Sequence, residues 1–143
     1  MVQLIYSGGL LKVDRAVAKA NEILHSQEFY EEIRKKPSFD YSKLSPQEIA
    51  TLMEQASWEI TIKAAFKPIA NASTEGPHLI KVSNIRFSSH LPTAVNTLIH
   101  ETVHAIDWHN GELEFTHNGN SPIGQENTAP WVIGAIAESL VKL

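Results

Sequence analysis

Apolar residues recur at helical spacing over 13–36. Val13, Val17, Ala20, Ile23 and Leu24 form one stripe, with Asp14 placed to cap its start. The polar pair Ser26-Gln27 divides this stretch from a second stripe around Phe29 and Ile33, and Pro37 stops it. Ser45-Pro46-Gln47-Glu48 is a stronger start signal. Ser45 sits at the N-cap, Pro46 in the first turn, and Glu48 can close a capping box, so a helix is predicted to Ser57 with Ile49, Leu52, Met53 and Ala56 buried. The period then drops to two. Trp58, Ile60, Ile62 and Ala64 share one face and Glu59, Thr61 and Lys63 the other, as in a half-buried strand.

Lys67 to Pro77 carries two prolines, a glycine and small polar residues and reads as a loop. His78 to Phe87 is a second strand whose alternation slips between Val82 and Ile85, which predicts a bulge or an edge position. A helix with Pro92 in its first turn carries Val95, Leu98, Ile99, Val103 and Ile106 and stops at Asn110-Gly111. A last helix falls between Ser121 and Leu143. Pro130 belongs in its first turn, and Val132, Ile133, Ile136, Ala137 and Leu140 face inward. Helices, strands, helices in that order predict one α+β domain over residues 1–143, a small sheet packed on helices.

Composition adds exclusions. With 143 residues, 43% hydrophobic and 20% charged, the chain has the balance of a soluble globular domain. It has no cysteine, which excludes disulfides, thiol catalysis and cysteine-based metal sites. A net charge of -4 disfavours a dedicated nucleic-acid binder. No apolar run approaches the roughly 20 residues of a membrane span, and Met1 to Tyr6 has neither the basic region nor the apolar stretch of a signal peptide. The expectation is a soluble chain, cytoplasmic by default.

Five of the seven histidines fall between positions 90 and 117. Two of them belong to His100-Glu101-Thr102-Val103-His104, an H-E-x-x-H pattern inside a predicted helix. Residues four apart on a helix lie one above the other, so both imidazoles can hold one cation. Zinc suits neutral imidazole and leaves room for a third protein ligand and a water. Glu101, projecting beside the metal, is the candidate general base for that water. The third ligand has three candidates. His117 lies beyond the Asn110-Gly111 turn, from which the chain can fold back, and Glu126 and Glu138 are carboxylate alternatives on or near the last helix. The metzincin position, six residues after His104, holds Asn110, and His109 faces away from the pair.

The run His100 to Trp108, followed after a short loop by His117-Asn118-Gly119, resembles the SprT-like zinc metallopeptidases. Members of that family carry HExxH, often an aromatic just after it, and a third zinc histidine in a following H-G motif. Ile133-Gly134-Ala135-Ile136-Ala137-Glu138-Ser139-Leu140 is similar to the alanine-rich helix that follows in the family. The resemblance implies a minimal zincin-like domain with His100, His104 and His117 as zinc ligands, Glu101 as general base and a protein or peptide as substrate. It also makes the strand His78 to Phe87 the one beside which an extended substrate lies. Here Asn118 interrupts the H-G pair, and neither a cysteine zinc ribbon nor a basic DNA-binding extension is present. The His-Ala-Ile-Asp run is also similar to that of Glu-liganded zincins such as the lethal-factor-like group, which keeps Glu126 and Glu138 in play. Two further functional classes share the motif: a non-catalytic zinc-binding domain, and a toxin or effector protease with one narrow protein target.

Other polar residues carry paired expectations. Asp107 shares the face of His100 and His104 and either fixes the tautomer of a ligand histidine or hydrogen-bonds the loop after the helix. Trp108 is expected in the core. His90 could donate to an oxyanion, yet a plain loop position is the simpler expectation. Glu112 and Glu114 read as a solvated turn and Asn127 to Pro130 as a helix start, and His25 and His78 carry no functional expectation.

Overall fold

The computed structural model describes residues 1–111, 113–117 and 123–142. Among these, the elements run β1 (Gln3–Ile5), α1 (Leu11–Leu24), α2 (Gln27–Arg34), α3 (Pro46–Gln55), β2 (Glu59–Ala65), β3 (Ala72–Thr74), β4 (Leu79–Ser83), α4 (Leu91–His109) and α5 (Ala129–Ser139). The domain is α+β, with a four-stranded sheet in the order β1-β2-β4-β3. The first three strands in that order are parallel, and β3 pairs antiparallel with β4 at the edge.

The alternation of β2 decides how the sheet is covered. Ile60 and Ile62 are buried while Glu59, Thr61 and Lys63 are exposed, and Ile80 and Val82 of β4 are buried likewise. One face therefore carries the core and the other meets water, which is unusual for parallel strands. Val95, Leu98, Ile99 and Val103 of α4 join that core, and α4 packs against α1 and α5 as well as β3 and β4. The predicted capping box of α3 forms in full: Ser45 Oγ accepts from the Glu48 N–H, and Glu48 accepts from the Ser45 N–H. Pro92 and Pro130 occupy the first turns of α4 and α5 as predicted.

Four expectations change. β1 lies in a stretch given no element, because three residues are too few for a periodic signal. Its Leu4 is instead clasped through N–H and C=O by the Asn21 side chain of α1, at 2.8 and 2.9 Å. The loop predicted at 67–77 contains β3, whose three small residues again leave no pattern. The strand predicted over 78–87 stops at Ser83, whose Oγ accepts the Arg86 N–H in a turn. The slip in alternation marks that strand end, not a bulge, and β4 is an interior strand. The first helix also begins at Leu11, so Asp14 lies within its first turn and not at the cap. Among the described residues no helix is long and apolar enough to cross a membrane.

α5 reaches α4 through a close approach at Gly134. A Cβ there would collide with the Asn96 side-chain oxygen and stand 3.1 Å from the Asn96 carbonyl. The Asn96 side chain is already committed, donating to Glu138 at 2.7 Å. In an open helix Gly→Ala gains about 1 kcal/mol, whereas overpacking costs about 1–3 kcal/mol. Gly134→Ala is therefore expected to lower stability by about 1 kcal/mol, read from urea denaturation midpoints; a gain would mean that α4 and α5 pack less tightly than this.

Candidate metal centre

His100 and His104 stand on one stripe of α4, as their four-residue spacing requires. His117 arrives from the loop that follows. Its Nε2 lies 3.1 Å from Nε2 of His100 and 3.0 Å from Nε2 of His104. Three ring nitrogens so arranged cannot all be satisfied by one another, since each offers a single in-plane proton or lone pair. A shared electrophile satisfies all three. Among the described residues these three histidines form the one group of ligating side chains close enough for a metal ion.

The approach of His117 is built by the loop's anchors. Asp107, fully buried one turn after His104, accepts the Glu114 N–H at 2.7 Å and the Phe115 N–H at 3.2 Å. Phe115 itself is fully buried, so the chain is held by a core side chain and by a carboxylate just before His117. The Glu114 carbonyl also accepts the Lys43 N–H at 2.8 Å, tying the loop to the segment before α3. Of the two expectations for Asp107, loop bonding is the one observed. Orientation of the His104 ring falls to Thr116, whose hydroxyl lies 3.3 Å from Nδ1; in the tautomer protonated at Nδ1 that hydroxyl accepts, and the Nε2 lone pair faces the cluster.

Burial sets the electrostatics. Desolvation and then the neighbouring histidines depress His100 to about 3, partly opposed by a hydrogen bond to the Pro130 backbone. Desolvation and then His117 depress His104 to about 4. Both rings are therefore neutral at ordinary pH, the form that ligates metal. Glu101 moves the other way: its burial raises its pKa, against the hydrogen bonds from Thr74 and the charge of Lys67. The Thr74 hydroxyl on β3 spans the Glu101 carbonyl at 2.9 Å and its Oε1 at 3.0 Å, and Oε2 stands 3.8 Å from His100 Nε2. Trp131 of α5 closes the cluster from behind, its ring edge-on to His100 at 4.6 Å.

These groups line a groove of about 620 Å³ whose far wall is Ile69 to Thr74, the approach to β3 and β3 itself. The edge strand beside the cluster is thus β3, while β4, the expected one, is flanked by β2 and β3. Glu126 is exposed and outside the cluster, and Glu138 is taken up by Asn96, which stands one turn before His100 on α4. Trp108, expected in the core, is 49% exposed and lines the groove, because it extends the stripe of His100 and His104. His109 does lie outside the cluster, stacked on Trp58 at 3.9 Å. His90 is an exposed cap position, and Asn127 bonds Ser38 and Asp40 away from the groove. Glu114 accepts from Asn110 at 2.7 Å; Glu112 and the Asn118-Gly119 part of the resemblance lie outside the described residues. Thr74, Phe115, Thr116 and Trp131 were not singled out by sequence, since each acts through a partner distant along the chain or through plain burial. In comparisons with known proteins, no family model, no curated protein and no solved structure matches the chain.

Two outcomes are expected. Asp107→Asn weakens the loop anchor and is expected to lower metal affinity about 10- to 100-fold, measured by competition with a chromophoric chelator; unchanged affinity would mean that Phe115 alone holds the loop. The pH dependence follows from the depressed histidines. Below about pH 6.5 the unfolded chain takes up protons that the folded chain refuses, so stability falls with pH. The loss is up to about 1.4 kcal/mol per pH unit for each ring until the folded values are reached. In chelator, the midpoint of thermal unfolding should drop steadily from pH 7 to pH 5, and less steeply in His100→Phe.

Proposed function

We propose that this chain is a minimal zincin-like domain that holds one zinc ion on His100, His104 and His117 and hydrolyses peptide bonds, in the manner of the SprT-like metallopeptidases it resembles. The observation that carries the reading is the convergence of three Nε2 atoms beside a buried carboxylate, within one open groove. The donor set favours zinc, which takes neutral imidazole, over calcium or magnesium, which take oxygen. Three ligands instead of four is the count of catalytic sites, and among the described residues no fourth histidine, aspartate or glutamate joins the three. That count also sets the non-catalytic zinc domain behind the enzyme.

A zinc ion held on His100, His104 and His117 would supply Lewis acidity to a substrate carbonyl and would lower the pKa of a bound water toward about 7. Glu101 takes the proton from the attacking water, for which its raised pKa equips it, and returns it to the amine nitrogen as the C–N bond breaks. Thr74 holds Oε1 and leaves Oε2 toward the histidines. An extended peptide adding to the β3 edge gains main-chain hydrogen bonds and brings its carbonyl over the cluster.

Glu101→Gln is expected to retain the metal and lose at least about 100-fold in hydrolysis of unfolded casein or fluorogenic peptides. Metal content by elemental analysis and turnover are read on the same preparation. Full activity in the variant would remove Glu101 from the reaction, and an inactive wild-type protein with zinc bound would remove the peptidase reading itself.

A further inference from the structure

The groove carries apolar side chains on both of its walls that the hydrolytic reading does not require. Trp108 stands one turn beyond His104, Leu113 projects from the loop that delivers His117, and Ile69 overhangs from the segment before β3. They are 49%, 54% and 88% exposed. Leu113 also has φ +44, a backbone region that a bulky side chain seldom adopts and that glycine or asparagine takes readily. Such strain persists where the surroundings over-determine it, as the Asp107 anchor does one residue later, and it gathers at ligand-contacting positions. The other ionisable side chains lining the groove are the three histidines and Glu101, already engaged in the cluster. Among the described residues no lysine, arginine or aspartate lines the groove.

Resting on the peptidase reading, we propose that Ile69, Trp108 and Leu113 form a subsite for a large apolar side chain close to the bond cleaved, so that the substrates are extended peptides carrying leucine, phenylalanine or a similar residue there. The spacing fits. Four residues of helix from His104 to Trp108 advance about 6 Å, close to the roughly 6.6 Å between side chains on the same face of an extended chain. A side chain within two residues of the scissile carbonyl therefore reaches Trp108.

The test uses the zinc-loaded protein and short peptide hydroxamates that differ at one position, leucine against glycine or aspartate, with affinity read by calorimetry. The leucine probe is expected to bind at least about 10-fold more tightly, as filling an apolar pocket does. Leu113→Asn and Trp108→Ala should each erase most of that preference. Because asparagine suits the left-handed backbone, Leu113→Asn should fold at least as stably as the parent, which separates loss of the subsite from loss of structure. Equal affinity for all probes, or a preference unchanged in both variants, would overturn the subsite. Casein hydrolysis by the wild type is scored separately. Preferred leucine binding without any cleavage would remove the peptidase reading and leave the subsite, whereas cleavage without preference would do the reverse.

Discussion

The histidine cluster depends on a carboxylate that never touches it. Asp107 is buried beneath the end of α4 and accepts two successive backbone N–H groups of the following loop. A helix can supply two imidazoles on one stripe by its own repeat, but the third must come from a segment without regular structure. Left to itself such a segment samples many conformations, and ordering it costs about 1–2 kcal/mol per residue. The Asp107 bonds and the buried Phe115 ring offset that cost next to His117 and hold the third histidine against the other two. Thr116 then extends the same loop's influence to the His104 ring.

The same burial that orders the site tunes it. α4 is apolar around most of its circumference, yet its stripe of His100 and His104, with Glu101 alongside, faces the groove. Within that largely buried stripe the charged forms are disfavoured: the His100 and His104 rings stay neutral and available as ligands, and the Glu101 carboxylate holds its proton more tightly than in water. Opposite shifts on neighbouring residues of one helix suit one group to bind a cation and the other to move a proton. The 3.8 Å approach of Glu101 to His100 is accordingly a contact with a neutral ring, not an ion pair.

The edge of the sheet completes the arrangement. β3 is only three residues long, but it places the Thr74 hydroxyl on Glu101 and forms the wall opposite Trp108 and Leu113. It does so because β4 is fixed by β2, and β4 in turn sets the register of Ala72, Ser73 and Thr74. The tight approach of α5 at Gly134 holds Trp131 against the back of the histidines. The geometry of the histidine cluster and its groove is thus shared by α4, α5, a strand edge and one loop.

By itself the sequence determined the elements with long periodic signals and the pair of histidines. The capping box at Ser45, the alternation of Trp58 to Ala64 and the stripe of α4 are local facts, readable because helix and strand repeats are short. The four-residue spacing of His100 and His104 is of the same kind. Three-residue strands such as β1 and β3 carry no period, so their existence was decided by pairing with β2 and β4. Sequence favoured His117 as third partner and kept Glu126 and Glu138 as alternatives. The tertiary fold brings His117 to the pair, by anchoring one loop on Asp107 and Phe115, and commits Glu138 to Asn96. Trp108 was misjudged for a related reason: hydrophobicity tells that a residue prefers burial, while which stripe of the helix faces a groove depends on what packs against the others.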